Sequence, residues 1–234
     1  MFGADAAHMR VRLVITVTLV AGGLCGSAQA DQSMSADQAN TVARAINLAA
    51  GDLPGYTGSP NVTTADARRE QARMFRCAGV LPRSRAVVDV DSQAFRMAGS
   101  GSGEPALRVV ASHVTVMPSA ASARRDLAAL ASARGRACQV HYNAVSSPHI
   151  RILDVSIIKL PAPTSGGYWL RMKIHQRANG RRMTLLADAF MFRRGPVEVT
   201  LATVSTAHSF SSGEQRRLIT LLLTRAEQQL PQAS

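Results

Sequence analysis

The sequence predicts an α+β domain: an antiparallel sheet of about five to six strands with helices packed on it, the C-terminal helix covering the sheet. Three observations predict it. First, Asn179-Gly180 lies between two alternating runs, and both residues accept the positive φ of a two-residue type I′ turn. Folding the chain there pairs Ile174 with Leu185, Met172 with Ala187 and Leu170 with Ala189 on one face. The same register sets Arg171 against Asp188, Trp169 against Phe190 and His175 against Thr184 on the other, so one register yields an apolar face, a charge pair and an aromatic pair. Second, a further apolar run, Val197 to Ser205, follows Arg194-Gly195-Pro196 and extends the hairpin. Third, Ser211 to Glu214 reads as a capping box opening a helix to about Leu230, whose Leu218, Ile219, Leu221 and Leu222 need a large apolar partner.

Taken in order, Ser35 opens a short amphipathic helix through about Ala45 with a Ser-x-x-Gln capping box. Asp52 to Tyr56 turns at Pro54 and Gly55, and Thr57 to Val62 reads as loop. A second helix spans about Thr64 to Cys77, with Ala67, Met74 and Phe75 inward. Ala86 to Val90 is a strand, and Gly99 to Pro105 is a Gly/Ser-rich loop. Leu107 to Met117 carries apolar residues on both faces, which predicts a central strand ended by Pro118. Ser119 begins an Ala-rich helix through about Ala133, with Gly135 at its C′ position. Gln139 to Val145 and Leu153 to Leu160 read as extended, separated by Ser146-Ser147-Pro148. For Val197 to Ser205 two registers compete: a two-residue turn with Val197 and Val199 beside Phe192 and Phe190, or a three-residue loop with Val199 beside Ala189.

The start of the chain does not belong to this core. Arg10 and Arg12 precede an apolar run, Leu13 to Leu24, and Ala28-Gln29-Ala30 is a small-residue cleavage site. Residues 1–30 read as a signal peptide, with Met9 an alternative start, leaving residues 31–234 as a single exported domain without a retained transmembrane helix. Gly22 and Gly23 interrupt the run, which is shorter than the ~20 residues a spanning helix needs. Lipid attachment at Cys25 would want a small residue where Leu24 stands.

Export leaves Cys77 and Cys138, and an even pair in an oxidising compartment is most simply a disulfide. Neither cysteine has a Cys-x-x-Cys partner or a nearby His at ligand spacing, so a reactive thiol or a metal site has no support. The net charge of +12 comes from arginines scattered in short pairs, since only Lys159 and Lys173 are lysine among 27 basic residues. With aromatics at 4%, base stacking is poorly provided for, and nucleic acid is not an expected partner. A basic exported surface does fit an anionic envelope component.

Catalytic patterns are sparse. There is no Gly-x-Ser-x-Gly elbow, no phosphate-binding Gly-x-x-x-x-Gly-Lys and no dinucleotide fingerprint. No two histidines of residues 31–234 lie at helical ligand spacing. His113 reads as a core residue and His175 as a surface one, while Asp89 and Asp91 share one strand face. A hydrolase would need a cleft joining Asp89 or Asp91 to His113 or His141.

Several stretches together carry a resemblance: Ala45 to Leu48, then Asp52 to Tyr56, Cys77, the strand ending Ser112 to Met117, Arg134-Gly135 with Cys138, and the closing strand and helix. This succession resembles exported actinobacterial proteins similar to the extracellular sensor domain of mycobacterial Ser/Thr kinases. The resemblance implies a sheet-and-helix domain outside the membrane with a ligand-sensing role, and it transfers no catalytic residues. That sensor domain carries two disulfides where one cysteine pair exists here. The expected function is therefore non-catalytic binding of a small molecule or envelope component, without cofactor or metal, around Trp169, Arg171 and Asp188. The alternatives are a hydrolase with unrecognised residues and a structural, partner-binding envelope protein.

Overall fold

A computed structural model describes residues 34–61, 64–80, 86–98, 107–145, 150–160, 164, 166–178, 181–206 and 210–230. The leader with Cys25, the Gly99 to Pro105 loop, Ser146 to Pro148 and the Asn179-Gly180 turn lie outside the described residues. Five helices pack on an eight-stranded antiparallel sheet: α1 (Ala36–Ile46), β1 (Thr57–Ser59), α2 (Ala65–Ala78), β2 (Val88–Asp91), β3 (Ala94–Ala98), β4 (Leu107–Val116), α3 (Ala120–Ala131), α4 (Ala133–Val145), β5 (Ile150–Lys159), β6 (Tyr168–Ala178), β7 (Arg181–Arg194), β8 (Val197–Thr206) and α5 (Ser212–Gln229). The strand order is β1-β3-β4-β8-β7-β6-β5, and β2 shares the edge of β4 with β3.

The β6–β7 register is the one the sequence predicts, running from Tyr168 opposite Met191 to Ala178 opposite Arg181. The β7–β8 register matches neither alternative: Val199 faces Phe192 and Leu201 faces Phe190. The reason is local. Gly195, at φ +54°, and Pro196 form the two-residue turn, so Arg194 already pairs with Val197 and the register moves by two residues. A two-residue shift preserves the face of every side chain, and Val197, Val199 and Leu201 remain buried together.

Three other expectations are corrected. Thr57–Ser59 forms β1 against β3 rather than loop, and β3 itself, anchored by buried Phe95, adds a strand. Gln139 to Val145 is helical rather than extended, so the sheet has eight strands of different make-up from the five to six expected. The helix from Ser119 stops at Ala131, not near Gly135: the Ser132 hydroxyl donates to the Ala129 carbonyl at 2.7 Å and accepts from the Gly135 amide at 3.0 Å, closing one helix and starting the next. Gly135 is required there by close approach, because a Cβ would lie 2.3 Å from the Ala129 carbonyl oxygen.

Two cores result. On one face of the sheet α1 and α5 bury Ala39, Ala43, Ile46, Leu218 and Leu222 against Val110, Val114, Phe192, Val199 and Leu201. On the other, α2, α3 and α4 bury Phe75, Leu127, Leu130 and Cys138 against Tyr168, Leu170, Met172, Ile174, Leu185 and Ala187. The Cys77–Cys138 disulfide, with Cα atoms 5.8 Å apart, ties α2 to α4. The Ser35 capping box is complete, with Gln38 amide to Ser35 Oγ at 3.3 Å and Ser35 amide to Gln38 Oε1 at 3.1 Å. At α5 Ser211 Oγ accepts the Glu214 amide, while the Glu214 carboxylate receives the Tyr56 hydroxyl at 3.0 Å instead of returning to its own cap. Arg225 of α5 donates to both carboxylate oxygens of Asp52 and to the Asn47 carbonyl, clamping the C-terminal helix onto the turn after α1.

Candidate functional site

Polar groups converge in two places, on opposite faces of the sheet. The first is the predicted one. Cross-strand pairing of β6 with β7 brings Trp169, Arg171 and Asp188 together. Asp188, 1% exposed, accepts Trp169 Nε1 and Arg171 Nε on Oδ1, both at 2.8 Å. Its Oδ2 accepts Arg171 Nη2 at 3.3 Å and Gln215 Nε2, from α5, at 3.0 Å. The Trp169 ring stacks on Phe190 at 5.3 Å, and the Arg171 guanidinium lies over the Trp169 ring at 4.3 Å. Both oxygens of the buried carboxylate are satisfied, so Asp188 organises its neighbours rather than offering an acceptor to a ligand. Arg171 keeps a third of its side chain in solvent. From here outward β6 and β5 turn the same face to solvent, with Lys173, Arg151 and Asp154 exposed, whereas α1 and α5 lie over β2, β4, β8 and β7.

The second cluster arises because β2 pairs with β4, setting Asp91 opposite His113 and Asp89 opposite Thr115. His113 Nδ1 is 2.8 Å from Asp91 Oδ1 and its Nε2 is 3.0 Å from Thr115 Oγ1 and 3.3 Å from Asp89 Oδ1. The Thr115 hydroxyl donates to Asp89 at 2.6 Å, so it accepts from Nε2, and both ring nitrogens of His113 are donors. Burial opposes charge on the ring, but the hydrogen bonds and charges of Asp89 and Asp91 outweigh it and lift the His113 pKa to about 9. The imidazole is therefore held as a cation at neutral pH.

Glu198 of β8 pairs across from Thr115, and the residue as a whole is only partly covered, yet its Oε1 is sealed from solvent without a hydrogen-bond partner among the described residues. Burial, reinforced by Asp126 and Asp89 and opposed by His113 and Arg193, pushes its carboxyl up to about 8. A hydroxyl, a histidine and a carboxylate in series have the outline of a nucleophilic triad. Thr115 is 1% exposed and His113 8%, however, and a doubly donating imidazolium cannot accept a proton from the hydroxyl. His141 is elsewhere, on α4, edge-on to Tyr142.

Sequence reasoning did not single out Glu198 or Asp126; the structure joins Asp89 and Asp91 to His113, the meeting that a hydrolase was expected to need, but around a buried imidazole. One signal was present: Val88-Asp89-Val90-Asp91 and His113-x-Thr115 both place polar residues at alternate positions of otherwise apolar strands. Among the described residues no three His, Cys, Asp or Glu side chains are arranged to hold a metal ion, and no helix is long and apolar enough to cross a membrane.

No family model matches the chain, and no curated protein matches it. Among solved structures it is similar to LpqN, involved in cell envelope biogenesis of Mycobacterium tuberculosis, at 10% identity and a TM-score of 0.31, over 75% of this chain and 77% of that one. It is similar at 13% identity and a TM-score of 0.31 to PA94, a protein of unknown function from Pseudomonas aeruginosa, over 63% of this chain and 86% of that one. Both are weak likenesses of fold.

Proposed function

We propose that this chain is an exported, non-catalytic domain that binds a small molecule or a cell-envelope component on the outward face of β6 and β5, beginning at Trp169, Arg171 and Asp188. The observation that carries the reading is the unequal covering of the sheet. Helices occupy one face from β2 to β7 and leave the β6–β5 end with Arg171, Lys173 and Arg151 at the surface. A sheet face with basic and aromatic residues at its boundary offers a ligand both contact area and charge. The Trp169–Arg171–Asp188–Gln215 network holds that boundary rigid, which lowers the ordering entropy a ligand would have to overcome.

The remaining polar chemistry supports the same reading. His113 is fixed as a cation between two carboxylates inside the fold, an arrangement suited to holding β2 on β4 rather than to proton transfer. The Cys77–Cys138 bridge fits an oxidising compartment outside the cytoplasm. The resemblance to kinase sensor domains fits a ligand-sensing role.

One preparation of the exported protein tests the reading. The expected result is a mature mass beginning after Ala30, no free thiol, and retention on isolated cell envelopes that Arg171→Ala and Lys173→Glu weaken. A mass retaining residues 1–30, two free thiols, or loss of retention only on changing His113 would overturn it.

A further inference from the structure

The hairpin end of the β5–β6–β7 face carries an arrangement that the fold alone does not explain. The register sets Arg177 opposite Arg182 and Arg151 opposite His175, and Ala178 at the end of β6 faces Arg181. Of these only Arg177 and Arg182 are like charges at opposed positions, an arrangement that disfavours a ladder. Of the acidic residues only Asp154, across from Lys173, enters this end of β5 and β6. Among the described side chains of this face, exposed Arg151 and Lys173 outnumber exposed Asp154, which leaves the face basic toward a negative counterpart outside the chain.

The apolar content of the same edge says what kind of counterpart. Leu153 and Ile158, 39% and 46% exposed, are the two large exposed hydrophobics among the described residues, and both lie on β5, the last strand of the sheet. Leu153 is the extra residue where the β5–β6 register shifts between Ile152 and Asp154. A soluble polyanion has no use for exposed leucine and isoleucine beside its cations. An anionic bilayer takes both, cations at the phosphates and apolar side chains in the headgroup layer. Nucleic acid would need a free stacking ring, and Trp169, the aromatic residue of this face on β6, is stacked on Phe190 and bonded to Asp188.

We propose that the outer face of β5 and β6 is a docking surface for an anionic phospholipid bilayer, with Arg151 and Lys173 meeting the headgroups and the exposed Leu153 and Ile158 of edge strand β5 entering between them. The inference rests on the reading that the β5–β6 face is the binding surface, and it names the ligand class.

The test is co-sedimentation of the exported protein with vesicles of pure phosphatidylcholine or of equal parts phosphatidylcholine and phosphatidylglycerol. Binding is expected only with the anionic vesicles, and it should fall away at high salt because exposed charges are screened. Arg151→Glu combined with Lys173→Glu should weaken it about tenfold or more, as expected for basic residues near an anionic surface. Arg124→Glu on α3, across the sheet, should leave it unchanged. Leu153→Ser with Ile158→Ser should weaken binding without altering its salt dependence. Melting temperatures confirm that each variant folds, and Lys173→Glu replaces the double reversal should that variant not fold. Equal binding to both vesicle types, or binding to long-chain polyphosphate with none to vesicles, would overturn the inference. Retention on cell envelopes without vesicle binding would defeat the lipid assignment alone, whereas loss of both would defeat the parent reading.

Discussion

Glu198→Gln changes one oxygen for a nitrogen and leaves the shape of the β8 side chain intact, so its effect reports on charge. In the folded protein Glu198 titrates near 8 instead of 4.5. A raised folded value means that the stability tied to this proton is fully present below pH 4.5 and is lost as pH rises through about 8. His113 has the same sign: its contribution is complete below 6.5 and disappears as pH passes about 9. Between pH 6 and pH 8 each group therefore withdraws about 2 kcal/mol, and together they lower the melting temperature by on the order of 10 °C in a chain of this size. The Gln variant retains only the His113 part, so its melting temperature should fall about half as far over the same interval. Circular dichroism melts at matched ionic strength across pH 6 to 8 measure both slopes. A Glu198→Gln protein whose melting temperature drops as steeply as the parent's would refute the assignment of that slope to this buried carboxyl.

Other perturbations follow from single contacts. Asp188→Asn removes the charge opposite Arg171 and turns one accepting oxygen into a donor facing Arg171 or Gln215, so a loss of about 3 kcal/mol is expected in urea unfolding. A loss under 1 kcal/mol would mean that the network is not the anchor of this face. Cys77→Ser should lower stability by roughly 4 kcal/mol, because the bridge closes a loop of 61 residues of sequence separation; an unchanged unfolding midpoint would contradict this. Gly167→Ala would place a Cβ 2.6 Å from the Met191 carbonyl oxygen, so a loss of about 1–3 kcal/mol is expected, and wild-type stability would show that the start of β6 can move away from β7.

What could be read beforehand depended on whether neighbouring residues or distant ones set the geometry. The β6–β7 hairpin was legible because a two-residue turn fixes every later pair, and Trp169 with Phe190 and Arg171 with Asp188 all meet as that register requires. Val197 was placed two residues out although a two-residue turn was one of the alternatives: with Gly195 and Pro196 alone in the turn, Arg194 pairs with Val197 and Phe192 with Val199. Gln139 to Val145 read as extended because a short run with Val140 and Tyr142 on alternate positions fits either period. What decides it is Cys138: tied to Cys77, it faces α2, and a helix lets Tyr142 follow one turn later into the same core. β3 escaped notice because Phe95 alone anchors it and a Gly/Ser-rich stretch adjoins it. The site divides in the same way. Trp169, Arg171 and Asp188 share one hairpin and were visible together. Asp89, Asp91 and His113 are joined only by β2 returning across more than twenty residues to β4, and the alternating polar positions in each strand do not say that the two strands pair.

The position of β8 bears on when the protein can fold at all. It is the last strand in the chain, yet it lies between β4 and β7, so strands β1 to β4 and strands β5 to β7 touch as one sheet only through it. A chain that emerges N-terminus first, from a ribosome or a translocation pore, thus carries two partial sheets with open edges until about residue 206 is free. Even then the turn after α1 waits for Arg225 to reach Asp52. The β4–β8 pairing joins segments as far apart as Arg108 and Ser205, which predicts slow, late completion of the sheet and a need for the unfinished edges to be shielded while the C-terminus is still in transit.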